Sequence, residues 1–355
     1  MGYSVVHWGT GATGRYALGA VLDRDDLDLV GLYVWNADKA GKDAGELIGR
    51  EPAGVAASHD LDDLIARKPD VVTYFGNGVI DRDLTAAEVA QFLEAGINVV
   101  TSSLGPVIHP NAESSPQIDM LRAACEKGGS TLYASGIDPG FATGMLSVAA
   151  FSAAHRIDRV RLQEFADYGV YPDENTGRAI WGFGLPLDAE TMVSNGMFLR
   201  HAWTGTILAN AHALGWQVDE LRHTCKTAPA RQDYDTAIGR IDKGTTSALW
   251  FQLIGVIGGE EKLMLEHINW IDEGDIPEGW PVPPRYRGGP SGVSYRTVVE
   301  GEPSYDLELQ MPDGEHGLMM TALHCVNAIP MVVAAEAGII DQCRIRPYGP
   351  GGILD

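Results

Sequence analysis

Within its first fifteen residues the chain sets Val5-Val6-His7-Trp8 directly before Gly9, Thr10, Gly11, Ala12, Thr13 and Gly14, and a helix opens at Arg15. Glycines at that spacing between a strand and a helix suit one chemistry, the binding of a dinucleotide. The first makes the tight turn, the second lets a pyrophosphate approach the backbone, and the third lets helix and strand close together. Free N–H groups at the helix start then hold the anion.

About 20 residues beyond such glycines, an acid on the second strand accepts the adenosine ribose hydroxyls in NAD-preferring sites. Here that strand ends at Trp35-Asn36, with Asp38 and Lys39 beyond. An amide at Asn36 repels no 2′-phosphate, and Arg15 or Lys39 can pair with one, so NADP(H) is expected, with NAD(H) accepted beside it. The competing reading makes Asn36 a turn former and gives the ribose to Asp38. Gly76 and Asn77, Thr101 and Ser102, and Ile137 and Pro139 put small or polar groups where nicotinamide should lie. Asn327 is a candidate for the carboxamide, or else for the backbone freed by Pro330.

Hydride transfer to a carbonyl or iminium carbon needs a proton donor at the heteroatom. Four residues are candidates. Glu164 sits in Val160-x-Leu162-x-Glu164-x-Ala166, where strand alternation turns its carboxylate to an apolar face, with a structural ion pair to Arg240 or Arg296 as the plainer reading. His109 follows the fifth strand, Asp138 lies in the Ser135–Phe141 turn, and Tyr168 ends a long strand. Phe141, Trp181, Phe183, Trp203 and Trp250 could line an apolar substrate pocket or serve as ordinary core. No His, Cys or carboxylate cluster has metal-ligand spacing, so no metal is expected.

The elements that must position these groups fall into two rhythms. Short apolar runs at Ser4–Trp8, Leu29–Trp35, Gly54–Ala57, Val71–Phe75, Ile97–Thr101 and Thr131–Ala134 alternate with helical segments. These are Arg15–Leu22, Leu61–Arg67, Thr85–Ala95 and Glu113–Lys127, with Asp60 and Asp83 as caps. That is an α/β, doubly wound parallel sheet over residues 1–138, completed by a C-terminal helix and tail over 317–355. From 139 to 316 the strands lengthen, at Arg159–Asp167, Leu221–Ala228, Thr246–Ile257, Lys262–Ile271, Tyr295–Val299 and Tyr305–Gln310. An α+β domain with a mostly antiparallel open sheet is expected. Gly258-Gly259 reads as a hairpin turn, Leu187–Leu214 supplies a helix, and Gly274–Gly292 is a surface loop.

With 355 residues the chain can bury two cores. Its 26 basic against 48 acidic side chains give a net charge of −22, which repels nucleic acid and anionic membranes. The 4 cysteines stand far apart with no C-x-x-C pair, as expected of a cytoplasmic protein. No secretory signal is read at the start, and the apolar stretch Gly317–Ile340 is a kinked core helix rather than a span.

The GTGATG start, Lys39-Ala40-Gly41-Lys42-Asp43-Ala44-Gly45-Glu46-Leu47, the Ser135–Phe141 turn and Asn327-Ala328-Ile329-Pro330 together resemble the 2,4-diaminopentanoate dehydrogenase and native amine dehydrogenase family, which is related in fold to dihydrodipicolinate reductase. The resemblance implies an N-terminal Rossmann domain, a second domain whose open sheet binds substrate and forms a homodimer, and NAD(P)H-dependent reductive amination of ketones or aldehydes. This chain lacks the His-His pair of the dipicolinate reductases, which disfavours their reaction. The fifth-strand loop, TSSLGPVIHP, has no acid to hold ammonia of the kind amine-forming relatives use there. A ketone or imine reductase working without ammonia is therefore the rival, and a non-catalytic dinucleotide-binding protein is the third reading. In either enzymatic case the small-molecule carbonyl or amine is expected in the interdomain cleft.

Overall fold

The computed structural model describes residues 2–76, 78, 81–110, 115–171, 174, 176–342, 345, 348, 349, 352 and 353. The chain divides into two units, Met1–Phe141 with Leu318–Asp355, and Ala142–Gly317.

In the first unit, β1 (Tyr3–Trp8), β2 (Leu27–Tyr33), β3 (Ala57–Ser58), β4 (Val71–Tyr74), β5 (Asn98–Thr101) and β6 (Thr131–Ala134) alternate with α1 (Gly14–Asp23), α2 (Leu61–Ala66), α3 (Arg82–Glu94) and α4 (Pro116–Gly128). Val5, Val6 and Trp8 of β1 are wholly buried, as a central parallel strand covered on both faces demands. The sheet is parallel throughout, and its order reverses direction between β1 and β4, where open α/β sheets bind ligands beyond the strand ends. Asp60 caps α2 as expected, but α3 is capped by Asp81 and not Asp83, because the chain enters that helix two residues early. The expected start of α4 at Glu113 lies outside the described residues; Ser115 caps the helix, with Pro116 following at its first position.

In the second unit, α5 (Ser147–Phe151), β7 (Arg156–Asp167), α6 (Met197–Ala213), β8 (Glu220–Pro229), β9 (Tyr234–Thr236), β10 (Gly239–Ile241), β11 (Thr246–Ile257), β12 (Glu260–Trp270), β13 (Val293–Glu302) and β14 (Tyr305–Met311) follow in order. Six of them form one sheet, β14-β13-β7-β12-β11-β8, in which only the central β7–β12 pair is parallel. Gly258 and Gly259 make the β11–β12 turn with φ of +61° and +81°, which residues with a Cβ rarely adopt.

The terminal apolar stretch is α7 (Gly314–Asn327) and α8 (Ile329–Ala334), followed by β15 (Gly338–Ile339), which extends the first sheet beside β6, and by β16 (Tyr348–Gly349) and β17 (Gly352–Ile353). Together α7 and α8 are long and apolar enough to cross a membrane. Ala322, Cys325, Val326, Ile329 and Val332 instead pack with Val5, Leu18 and Leu32 in the core of the first unit.

Candidate active site

The glycine turn is built by backbone closeness. Gly9 has φ +96°, and a Cβ there would lie 2.7 Å from the Phe75 carbonyl; one on Gly14 would lie 2.2 Å from the Gly9 carbonyl. A Cβ on Gly11 would meet nothing within 4 Å, leaving open space in front of the loop. Three helices of this unit carry a side-chain cap, from Asp60, Asp81 and Ser115, and an acid in the first turn. Helix α1 has neither: Thr13 makes no capping bond and no acid follows. The Arg15 and Tyr16 amides bond the Gly11 and Thr13 carbonyls, and the positive dipole end, with no side-chain cap and no acid beside it, suits an anion. The residues present therefore fit the diphosphate of a dinucleotide.

Lys39 reaches this loop, its Nζ donating to Thr10 Oγ1 at 2.9 Å. Arg15 lies over Tyr16, 4.7 Å from the ring centroid. The Asn36 side chain accepts from the Asp38 amide and so builds a turn at the end of β2. The neighbouring strand ends are tied together: Ser103 Oγ donates to the Gly76 carbonyl at 2.6 Å, and Thr101 Oγ1 accepts from the Ser103 amide. Asn77 lies outside the described residues. Ile137 is buried, its amide donating to Thr321 Oγ1, while Asp138, Pro139 and Gly140 adopt non-helical backbone inside the Ile137–Leu146 segment. Phe141 packs on His324, with ring centroids 5.5 Å apart.

Asn327 corrects the expectation. Its carbonyl oxygen accepts from Arg24, which caps the C-terminal end of α1, beside the amino end of β2. Ligands bind past the opposite edge of such a sheet, where α1 begins, roughly 15 Å away along a ten-residue helix. The side chain braces α7 against α1 rather than meeting nicotinamide.

His109 is buried, with Nδ1 2.9 Å from Asp341 Oδ2. Gln342, next in sequence, donates to the Gly140 carbonyl. The fifth-strand loop lacks its own acid, yet the C-terminal tail brings one to it.

In the second unit the β-sheet sorts the candidates by face. Register places Cys225, Phe251, His267, Glu164 and Tyr295 in one row across β8, β11, β12, β7 and β13. On this face Glu164 Oε1 lies 2.9 Å from His267 Nδ1, both residues buried. Trp203 of α6 packs edge-on to His267 at 4.5 Å between centroids, and Phe251 stacks at 4.8 Å. Trp181 extends the cluster to Phe198 and Phe251, and Tyr168 joins it through Trp181 and Phe183. A cavity of about 420 Å³ adjoins Trp181, lined also by Leu187, Cys225, Thr227 and Leu249.

Two expectations fail on the face rule. Arg296 does not pair with Glu164: it bonds Gln163 and lies over Phe165 on the opposite face, while Arg240 pairs with Asp233 and Asp242. Trp250, one residue from Phe251, also points away from the pocket cluster, donating to Glu266 and carrying the Lys226 ammonium 4.3 Å from its ring. Sequence reasoning missed His267 and Asp341, the partners of two of its candidates, because nothing local links them.

A family model of the 2,4-diaminopentanoate dehydrogenase C-terminal domain matches residues 145–345. The amine dehydrogenase of Streptomyces virginiae is 34% identical over 354 residues, covering 96% of each chain. Among solved structures, the amine dehydrogenase of Mycobacterium smegmatis superposes with a TM-score of 0.78 at 22% identity, covering 97% of this chain and 96% of that one. A dihydrodipicolinate reductase of Paenisporosarcina sp. TG-14 gives 0.50 at 13% identity, over 97% of this chain and 100% of that one. The chain thus belongs to the 2,4-diaminopentanoate dehydrogenase and amine dehydrogenase family and is an amine dehydrogenase-like, NAD(P)-dependent oxidoreductase.

Proposed function

We propose that the protein joins ammonia to a small or medium apolar ketone or aldehyde, and runs the reverse deamination, with NADP(H) preferred and NAD(H) accepted. In the synthetic direction the ammonia nitrogen adds to the carbonyl carbon, water leaves, and the iminium carbon receives hydride. The dinucleotide supplies that hydride when bound; Gly9–Gly14, Arg15 and Lys39 hold its phosphates.

The observation that carries the reading is the Glu164–His267 pair, buried beneath Trp203 and Phe251. A buried carboxylate beside an imidazole, under an aromatic wall, can take a proton from ammonium and return one to the leaving hydroxyl, with bulk water kept out. Trp181, Phe183 and Tyr168 form the wall that selects apolar substituents. His109, tied to Asp341, is the alternative proton donor, and its carboxylate partner offers the ammonium site that the loop sequence lacks.

The Streptomyces virginiae relative bears the name amine dehydrogenase, which supports an amine product here. The sheet face opposite α6 is proposed to meet a second copy in a homodimer, and the cytoplasm is the proposed location, in keeping with free Cys125, Cys225 and Cys325. The test follows NADPH oxidation over a panel of ketones with and without ammonium. Amine formation that depends on ammonium is expected. Alcohol as the sole product, at a rate indifferent to ammonium, would replace this reading with a ketone reductase.

A further inference from the structure

His7 is the one polar side chain in the run Val5–Trp8, and it is wholly buried in β1. Its ring bridges two groups. Nδ1 lies 2.7 Å from Thr73 Oγ1 on β4, and Nε2 lies 2.7 Å from the carbonyl oxygen of Gly9. A carbonyl only accepts, so the network assigns the proton to Nε2, which donates to Gly9; Nδ1 then accepts from the Thr73 hydroxyl. Burial lowers the pKa to about 4, and the ring stays neutral at working pH.

The Gly9 carbonyl is an electronegative group inside a loop whose task is to bind an anion. A peptide plane that flipped would turn this oxygen toward the phosphates and remove an N–H from them. Gly14 closes on the oxygen from the helix side, since a Cβ there would lie 2.2 Å from it. His7 holds it from the strand side. We infer that His7 is a positioning residue for the dinucleotide: with Thr73 behind it, it pins the Gly9 carbonyl so that the loop presents only N–H groups to the pyrophosphate. This deepens the cofactor site and rests on the dinucleotide reading above.

The test compares His7→Leu, the double variant H7L/T73V and His7→Gln by calorimetric titration with NADPH and by steady-state kinetics. Leu should weaken NADPH binding about ten-fold and raise its KM by the same factor, the loss of one buried hydrogen bond to the loop. At saturating NADPH, kcat should stay within about two-fold, because the contact acts on binding. The double variant leaves no orphaned hydroxyl, so it folds with apolar packing restored and should bind as weakly as H7L. A Gln amide can donate to Gly9 and accept from Thr73, and should return affinity to within about three-fold of wild type. A folded double variant that binds NADPH like wild type overturns the inference alone, as does a Gln variant as weak as Leu. Wild-type protein that binds neither NADPH nor NADH overturns it together with the dinucleotide reading.

Discussion

The two faces of the six-stranded sheet each bury a glutamate, and they treat it differently. On the face opposite α6, Glu266 is completely enclosed and saturated. Arg161 lies 2.5 Å away, Trp250 donates at 3.1 Å and Gln252 at 3.0 Å, and Gln163 adds a further bond. The network crosses every strand in register, from Thr224 through Gln252, Glu266, Gln163 and Arg296 to Glu308. On the α6 face Glu164 has an imidazole at 2.9 Å and apolar rings around the pair. A carboxylate whose every lone pair is used is fixed and structural. One set against a titratable imidazole and aromatic rings retains capacity to exchange a proton.

The strongest way to break this contrast is to neutralise each glutamate in turn. Glu164→Gln keeps the shape and removes the proton acceptor, so kcat should fall by about 10²- to 10³-fold, within the range of general acid–base catalysis. The thermal midpoint should shift little. If E164Q keeps full turnover while His109→Ala loses it, the proton donor lies in the first unit instead.

Glu266→Gln should show the opposite signature. It leaves Arg161 without its carboxylate, but that guanidinium is about one third exposed, so the loss is smaller than for a fully buried partner, about 2–3 kcal/mol by chemical denaturation. Turnover per folded molecule should remain near wild type. A kcat loss that exceeds the stability loss would give Glu266 a catalytic part and dissolve the distinction between faces.

How much of this was legible beforehand follows from how local each signal is. The strand, glycine turn and helix at residues 3–23 are contiguous, and Lys39 closes on the loop through the next strand, so spacing alone exposed them. The burial of Glu164 was also legible, because strand alternation is a two-residue property. Its partner was not. His267 reaches it only because β7 and β12 pair in parallel, and parallel neighbours need a long crossover that no local pattern reveals. The same limit misplaced Arg296 and Trp250: each lies close in register but on the other face, and one residue of shift reverses every side chain. Asn327 was misread because a motif gives a residue type without the end of the helix at which it stands. His7 was in plain view as a polar residue inside an apolar strand, a pattern that asks for a buried partner.

A third carboxylate on β7 sharpens the rule. Asp167 ends the strand on the Glu266 face, accepts from the Gly169 amide, and feels the negative charges of Asp272, Glu273 and Asp313. Burial foremost, and those charges next, push its pKa up to about 6. The folded state thus binds its proton more tightly than the unfolded chain does. Stability is lost as pH rises from about 4 through about 6, and stays lower above that. Asp167→Asn retains the acceptor and cannot ionise. It should gain about 2 kcal/mol over wild type at pH 8 and nothing at pH 4. A gain that does not change with pH would mean the residue is not titrating in this window.

The smallest expected effect tests the face assignment itself. Trp250 and Trp203 are both large aromatics that sequence alone offers for the substrate pocket, yet only Trp203 meets His267. Trp250→Phe removes the indole donor to Glu266 and part of the Lys226 cation–π contact, a loss of about 1 kcal/mol in stability. Substrate KM should move by less than about two-fold, since no atom of Trp250 faces the ring cluster above Glu164. Trp203→Phe, by contrast, opens the wall directly over His267 and should change the order of preference among ketones of different size. If the Trp250 variant altered that preference as strongly, the substrate would have to touch both faces of one sheet, and the division between a catalytic and a structural glutamate would fall with it.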